Sequence, residues 1–433
     1  MGPRSRSLAP PPRGHDAWVS GNVVSLLSDG PAAFPAMLAA IGAARREILL
    51  EMYWFASDAT GRRFADALVE RARAGVQVRV LYDAVGSIET DPRLFLRLRD
   101  AGCDVAAFNP IAPWRTRFRL GVVNRRDHRK LLVVDERVGF TGGVNLADAW
   151  AGVDQGGKGW RDDVVRVEGP AAAQLAAVFF TSWSRRAEGW FGDHYVSAPR
   201  PLAGELRFDD SPGPGEDVAA VASPEAPPLA SAGDTDTPRA RSDEAPVPST
   251  TDAPVHVLAS DWHLAGPAIR RAYLRRIREA SERISLTNAY FVPDRPIRRE
   301  LIRAVRRGVN VRVMVPGRSD VPAVHYAGRS LYEELLDGGV RIFEWSGSML
   351  HAKTAVIDRR WCTVGTYNLD YRSLRFNLEL TMVIDDPTFG AVMARRFDAD
   401  LEHARPLLLD RWRRRPTLER GLETLAYRMR KLL

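Results

Sequence analysis

His128-Arg129-Lys130-Leu131-Leu132-Val133-Val134-Asp135 recurs 223 residues later as His351-Ala352-Lys353-Thr354-Ala355-Val356-Ile357-Asp358. Each copy is followed by six residues (ERVGFT; RRWCTV) and then by Gly142-Gly143-Val144-Asn145 or Gly365-Thr366-Tyr367-Asn368. Residues two apart on a strand share a face, so His and Lys are expected to project together from an apolar strand. Six residues suffice to turn and begin a return strand, which would bring each Asn back beside its His and Lys. Two such hairpins across a pseudo-two-fold axis would supply two His, two Lys and two Asn to one cationic pocket suited to a phosphodiester.

The flanks repeat as well. In the first half Glu47–Phe55 reads as a buried strand, followed by a helix through FADALVERARAG and the strand VQVRVLYD. In the second half Arg283–Phe291 is followed by a helix through ELIRAVRRG and the strand VNVRVMVP. Each half then shows a further helix ending at Gly (LFLRLRDAG; LYEELLDGG) and a strand (CDVAAF; VRIFEW). This alternation predicts an α/β fold, a duplicated pair of helix-covered sheets.

Charge sharpens the reading. Of 62 Lys and Arg only four are Lys: Lys130, Lys158, Lys353 and Lys431. Two of the four occupy the same place in the two repeats of a chain that otherwise uses Arg. A compact ammonium is what a tight phosphoryl site needs and a guanidinium fork is not. Ser211–Pro254 holds nine Pro and no aromatic residue and carries −6, against +8 for the whole chain, which leaves +14 on the rest. Such a segment buries too little apolar area to offset its ordering entropy and reads as a linker. The basic remainder calls for an anionic partner, either lipid headgroups or nucleic acid.

Other classes are excluded. Cys103 and Cys362 are too few for a disulfide framework or a four-ligand zinc site, and both read as buried free thiols. No His, Asp and Glu cluster has metal-ligand spacing, so neither metal nor cofactor is expected. Ala171–Phe180 and Pro31–Ala44, the longest apolar stretches, fall short of the roughly 18 residues a membrane span requires. The Pro-rich start lacks a hydrophobic signal core, so neither secretion nor a spanning helix is expected.

The two His-Lys-Asp motifs resemble the signature of the phospholipase D superfamily. Tyr290-Phe291-Val292-Pro293-Asp294, Asn124–Lys130, Trp160-Arg161-Asp162 and Asn368–Leu374 running to Asn377 and Glu379 are most similar to bacterial cardiolipin synthases, of the group without N-terminal membrane helices. The resemblance implies two phospholipase D-like αβα sandwich domains related by pseudo-two-fold symmetry around one shared active site. The expected division is a tail at 1–18, domains at 19–199 and 255–409, an acidic linker at 200–254, and a basic amphipathic tail at 410–433. It implies ping-pong phosphatidyl transfer, from phosphatidylglycerol to a second phospholipid, at the inner face of the cell membrane. Anionic phospholipids (phosphatidylglycerol, cardiolipin) are the expected partners, and nucleic acid is not. A hydrolase in which water replaces the acceptor, and a non-catalytic anion-binding module, are the competing readings.

By the same resemblance His128 is the nucleophile and His351 the acid and base. Lys130, Lys353, Asn145 and Asn368 would hold the phosphoryl oxygens. A carboxylate should hold the second ring nitrogen of each histidine. The candidates are Asp162, 34 residues past His128, and Glu379, 28 past His351, with Asp163 an alternative to Asp162. Asp135 and Asp358 complete the motif and are read as organising the hairpin rather than carrying protons. Glu51 and Asn288, at matching places on the first strands, are candidate pocket residues. His15, His194, His256, His263, His325 and His403 lack a repeated context. Pro110–Arg126 and Arg411–Leu433 join basic to apolar residues, a pattern that suits an anionic membrane surface.

Overall fold

The structure, a computed structural model, describes residues 17–110, 124–188, 249–260 and 268–431. Most of the expected linker, the N-terminal tail and the core of the 110–126 insertion lie outside them.

The first half contributes β1 (Val19–Ser28), β2 (Glu47–Met52), β3 (Gln77–Asp83), β4 (Asp104–Phe108), β5 (Leu131–Val134), β6 (Val138–Gly142) and β7 (Asp163–Glu168). The second contributes β8 (Thr250–Ser260), β9 (Arg283–Asn288), β10 (Asn310–Pro316), β11 (Arg341–Trp345), β12 (Lys353–Ile357), β13 (Trp361–Gly365), β14 (Glu379–Asp385) and a short β15 (Ala404–Pro406). All belong to one sheet, ordered β15-β11-β10-β9-β12-β13-β14-β8-β1-β7-β6-β5-β2-β3-β4. Apart from β15, the order reads as a palindrome about the antiparallel β1–β8 seam, which is where the pseudo-two-fold axis passes. Asn22 fastens that seam: its Nδ2 donates to Val19 O at 2.8 Å and Ala253 O at 3.1 Å, and its Oδ1 accepts from Ala171 N at 2.9 Å. Thr250–Pro254, assigned to the linker by composition, is therefore sheet. Pairing with β1 satisfies the backbone groups there, as at Val24↔Thr250 and Asn22↔Ala253.

The described helices of the first half are α1 (Asp29–Ala43), α2 (Ala59–Arg73), α3 (Pro92–Asp100) and α4 (Pro170–Glu188). The second half has α5 (Ala268–Glu279), α6 (Arg295–Arg306), α7 (Pro322–Arg329), α8 (Tyr332–Asp337), α9 (Tyr371–Arg375), α10 (Pro387–Leu401), α11 (Leu409–Arg413) and α12 (Thr417–Arg428). Continuous apolar strands are what two covered faces demand. Ile48 and Leu50 pack under α1 and α2, whereas Leu49 between them packs with α4 on the opposite face. That opposite-face core also takes Phe389 and Met393 of α10, so it runs across the seam and ties the halves into one compact unit. On the other face of the second half, Leu286 and Val313 pack with Tyr273 of α5 and Leu301 of α6. Asp58, Asp91, Asp294 and Asp386 cap their helices through side-chain oxygens, as Asp does at helix starts.

Candidate active site

Each motif enters its hairpin beside the other half. His128 N donates to Leu378 O at 3.0 Å and Leu378 N to Arg126 O at 2.9 Å. Symmetrically, His351 N donates to Arg161 O at 2.8 Å and Arg161 N to Met349 O at 2.8 Å. Leu378 immediately precedes Glu379, and Arg161 immediately precedes Asp162. The backbone bridges therefore deliver each carboxylate to the histidine of the opposite half. His128 Nδ1 lies 3.1 Å from both Glu379 oxygens, and His351 Nδ1 lies 2.8 Å from Asp162 Oδ2. Asp163, the alternative to Asp162, pairs with Arg161 at 2.9 Å.

The carboxylates are built in differently. Glu379 accepts from Ser373 Oγ at 2.7 Å, Asn377 Nδ2 at 3.1 Å and the Thr366 hydroxyl. Asp162 accepts from Trp150 Nε1 at 3.0 Å and Asp163 N at 2.9 Å. Gly143 stands where Thr366 stands in the other half, and a Cβ there would meet Asp162 Oδ1 at 2.1 Å. The first Gly-Gly pair is thus the room that Asp162 occupies.

Electrostatics favour neutral imidazoles. Burial pushes His128 down to about 4, against the pull of Glu379 and with the help of Lys130. Burial, then Lys353, lowers His351. Burial opposes ionisation of Glu379 and Asp162 too, but their histidine and lysine partners outweigh it and hold both below the ordinary range. Each pair is therefore carboxylate and neutral histidine, with Nδ1–H donating and Nε2 left for chemistry. Lys130 is lowered to about 7, by burial and then by Lys353; Lys353 is lowered to about 8 by burial, against Asp162. Lys130 Nζ donates to His128 O at 2.8 Å and lies 5.1 Å from the Tyr53 ring centre. Lys353 Nζ donates to His351 O and lies 2.9 Å from His351 Nδ1.

Both histidines, Asn145 and Asn368 line one cavity of about 300 Å³. Asn145 Oδ1 accepts from Trp54 N at 3.0 Å, and Asn368 Oδ1 is buried with no partner among the described residues. Tyr53, Tyr290, Trp150, Trp160, Arg126 and Arg372 also line it; none was a candidate site residue, although Tyr290, Trp160, Arg126 and Arg372 fall in the stretches that carry the family resemblance. Repeat alignment was the available signal for the tyrosines, which follow Glu51 and Asn288 by two residues. Tyr53 stacks edge-on to His128 at 5.0 Å, and Trp150 to His351 at 5.3 Å. Arg126 is set by Asn109 O at 3.0 Å and Asp83 at 3.4 Å. Glu51 and Asn288 do not line the cavity. Asn288 Oδ1 accepts from Leu369 N at 3.1 Å and steadies the Asn368 loop, while Glu51 is buried beside Asp127, whose pKa is pushed far up by burial and then by that neighbour.

Asp135 and Asp358, candidates by their place in the motif, belong to the turns and not to the cavity. Asp135 and Glu136 have φ of 54° each, Asp358 and Arg359 of 51° and 53°, so each hairpin closes with two left-handed residues, the geometry that matches strand twist. Asp135 accepts from the backbone N of Arg45, Arg46 and Glu47 at 2.7–2.9 Å; Asp358 accepts from Ser281, Glu282 and Arg283, each at 2.9 Å. Burial resists the charge on each, but these donors prevail and lower both pKa values. The turns stand five residues from the lysines, about 16 Å along a strand. Cys103 and Cys362 are buried free thiols, the first raised by burial to about 11. Among the described residues no group of three or more His, Cys, Asp or Glu could hold a metal ion.

Known proteins resemble the chain along most of its length. The family model described as "Cardiolipin synthase, PLD-like domain" matches residues 37–182 and 273–401. Cardiolipin synthase A of Pseudomonas entomophila is 33% identical over 400 residues, covering 92% of this chain and 72% of that protein. The major cardiolipin synthase of Bacillus subtilis is 29% identical over 412 residues, covering 95% and 76%. Among solved structures, the phosphatidylserine synthase of Haemophilus influenzae shares the fold with a TM-score of 0.64 at 14% identity, covering 95% of each chain.

Proposed function

The chain belongs to the cardiolipin synthase family of phospholipase D-like proteins, and from that premise we propose that it is a phosphatidyltransferase moving a phosphatidyl group from phosphatidylglycerol to a second phospholipid. The observation that carries the reading is the crossed pair of buried histidines on one cavity, each held at Nδ1 by a carboxylate of the other half.

In this reading His128 Nε2 attacks phosphorus. The phosphorus–glycerol oxygen bond breaks, and the leaving glycerol takes a proton from His351. The anionic phosphodiester supplies the field that returns His351 to its protonated form when substrate enters. His351 then takes the proton of the incoming hydroxyl, which attacks phosphorus and frees His128. Assigning His128 as nucleophile follows from charge: once Nε2 bonds to phosphorus the ring is cationic, and Glu379 with its three side-chain donors is the better fixed counter-charge. Lys130, Lys353, Asn145 and Asn368 are assigned to the phosphoryl oxygens, whose negative charge grows in the transition state.

The substrates lie in membranes, and no described helix is long and apolar enough to cross one. We place the reaction at the inner surface of the cell membrane, with anionic lipid as partner. The test is incubation with phosphatidylglycerol vesicles and mass spectrometry of the products. Cardiolipin and glycerol are expected. Phosphatidic acid alone would make water the acceptor, and no lipid product would overturn the reading.

A further inference from the structure

Helices of globular proteins normally turn their apolar stripe inward. Helix α12 does the reverse. Its Glu423 is 1% exposed, and its carboxylate accepts from Arg329 Nε at 3.1 Å and Arg415 Nε at 3.0 Å. Those two guanidinium groups flank the Trp412 ring at 4.6 and 4.7 Å. Ala426 and Tyr427 pack on the cluster of Val324, Ala327 and Leu331. Leu418, Leu422, Leu425 and Met429 meanwhile are 76, 46, 56 and 45% exposed. At about 100° per residue these four form one narrow stripe. Leu432, the next residue of that spacing, lies outside the described residues.

The surroundings are cationic. Arg428 is exposed on the flank of the stripe, about 90° around the helix from it; Arg420 is exposed on the far side, and Arg411, Arg414 and Lys431 are exposed beyond the two ends of the helix; none of the five forms an ion pair among the described residues. The packed side of the helix also stands beside the cavity. Val324 and Tyr290, in the same small core as Ala426 and Tyr427, line the cavity, as does Val321 at the start of α7, which is 37% exposed.

We infer that α12 is a bilayer-docking element. Its leucines enter the interfacial layer of an anionic membrane, its free arginines meet lipid phosphates, and the ion-paired underside holds this surface next to the cavity mouth. A second copy of the chain fits less well, because pairing two such faces would set like charges together. The inference rests on reading the protein as an enzyme of membrane phospholipids, but its test does not use turnover.

Full-length protein is sedimented with vesicles of equal phosphatidylglycerol and phosphatidylcholine, and with phosphatidylcholine alone. The wild type is expected to bind the anionic vesicles. Leu422→Gln, Leu425→Gln and Met429→Gln together are expected to lower that partition by roughly tenfold or more. The melting temperature should move by less than about 2 °C, since those side chains already face water. Arg420→Gln, Arg428→Gln and Lys431→Gln together should weaken binding to anionic vesicles alone. Equal binding by wild type and the leucine variant would overturn the inference, as would no binding by the wild type. A wild-type dimer that the leucine variant dissociates without loss of vesicle binding would also overturn it, making the occupant a second copy. Binding through α12 by a protein that makes no cardiolipin would instead refute the proposed reaction and leave α12 its role.

Discussion

The two halves carry the same motif on the same strands, yet they support their carboxylates by different means. In the first half Gly143 makes room for Asp162 and Trp150 Nε1 donates to it; at the matching positions of the second half Thr366 and Ser373 both donate to Glu379. Trp150 and Ser373 each lie five positions past the Asn of their repeat, so the exchange of indole for hydroxyl occurs at one repeat position. The halves share a scaffold but not the groups that support their carboxylates, and the carboxylates cross between the halves. Each half orients the other's histidine, so neither half holds a complete site.

The largest effect should come from the histidines. His128→Ala and His351→Ala are each expected to lose at least about 10⁴ in turnover. With phosphatidylglycerol labelled at phosphorus, a covalent phosphatidyl-enzyme should be trapped in His351→Ala and absent in His128→Ala. The reverse pattern would exchange the roles of the two halves. Next are the carboxylates, with losses of about 10²–10⁴ expected for Glu379→Gln and Asp162→Asn. Rapid-quench measurement should show Glu379→Gln slowing formation of the covalent enzyme, as a partner of His128 must. If it left formation intact and slowed only the second step, the crossed assignment would be broken.

Smaller changes probe the two cradles. Thr366→Val removes one donor from Glu379 and should lower turnover by roughly tenfold, at about 1–3 kcal/mol of stability. Gly143→Ala should impair both folding and His351, because the added carbon strikes Asp162. A crystal structure showing Asp162 unmoved in that variant would refute this account.

Burial of Lys130 gives a pH-dependent prediction. Its pKa is about 7 in the fold against the ordinary 10.5, so below pH 7 the fold bears the full cost of a buried charge. As pH rises from about 7 to 10.5 the folded state sheds its proton first, and wild-type stability recovers. Lys130→Met should therefore be inactive but more stable than wild type at pH 6, by about 1–2 kcal/mol after losing its hydrogen bond to His128 O. That advantage should shrink steadily toward pH 10.5, and urea titrations across the range would show it. The smallest effect on activity is expected at the turns. Asp135→Ala and Asp358→Ala should cost about 1–3 kcal/mol of stability and leave turnover within roughly threefold. A thousandfold loss in a folded variant would return these residues to the chemistry.

Much of the site was legible because its signals are local. His and Lys are two positions apart, so the alternation of the extended run that enters β5 and β12 sets them on one side. The six-residue spacer contains the turn, and Asp135 and Asp358 were read as hairpin residues because they end apolar runs. Tyr53 and Tyr290 escaped although both lie within the strands read from the sequence, Glu47–Phe55 and Arg283–Phe291: an aromatic residue in an apolar run reads as core, and only the assembled cavity shows the two lining it. The C-terminal stripe was visible as a period, but a period does not say which face of a helix docks. Glu423, buried between two arginines, reversed the usual expectation.

The amino-acid sequence by itself determined the duplicated α/β plan, the two His–Lys pairs and the hairpins that return Asn145 and Asn368. All of these follow from side-chain period and chain chemistry within a few dozen residues. Only the tertiary structure decided that β1 and β8 join the halves into one sheet, that Glu379 serves His128 and Asp162 serves His351, and that α12 shows its leucines to water. These depend on the pairing of backbone segments more than 180 residues apart, such as Arg161 with His351, and no local pattern records which of several carboxylates such a pairing will bring alongside.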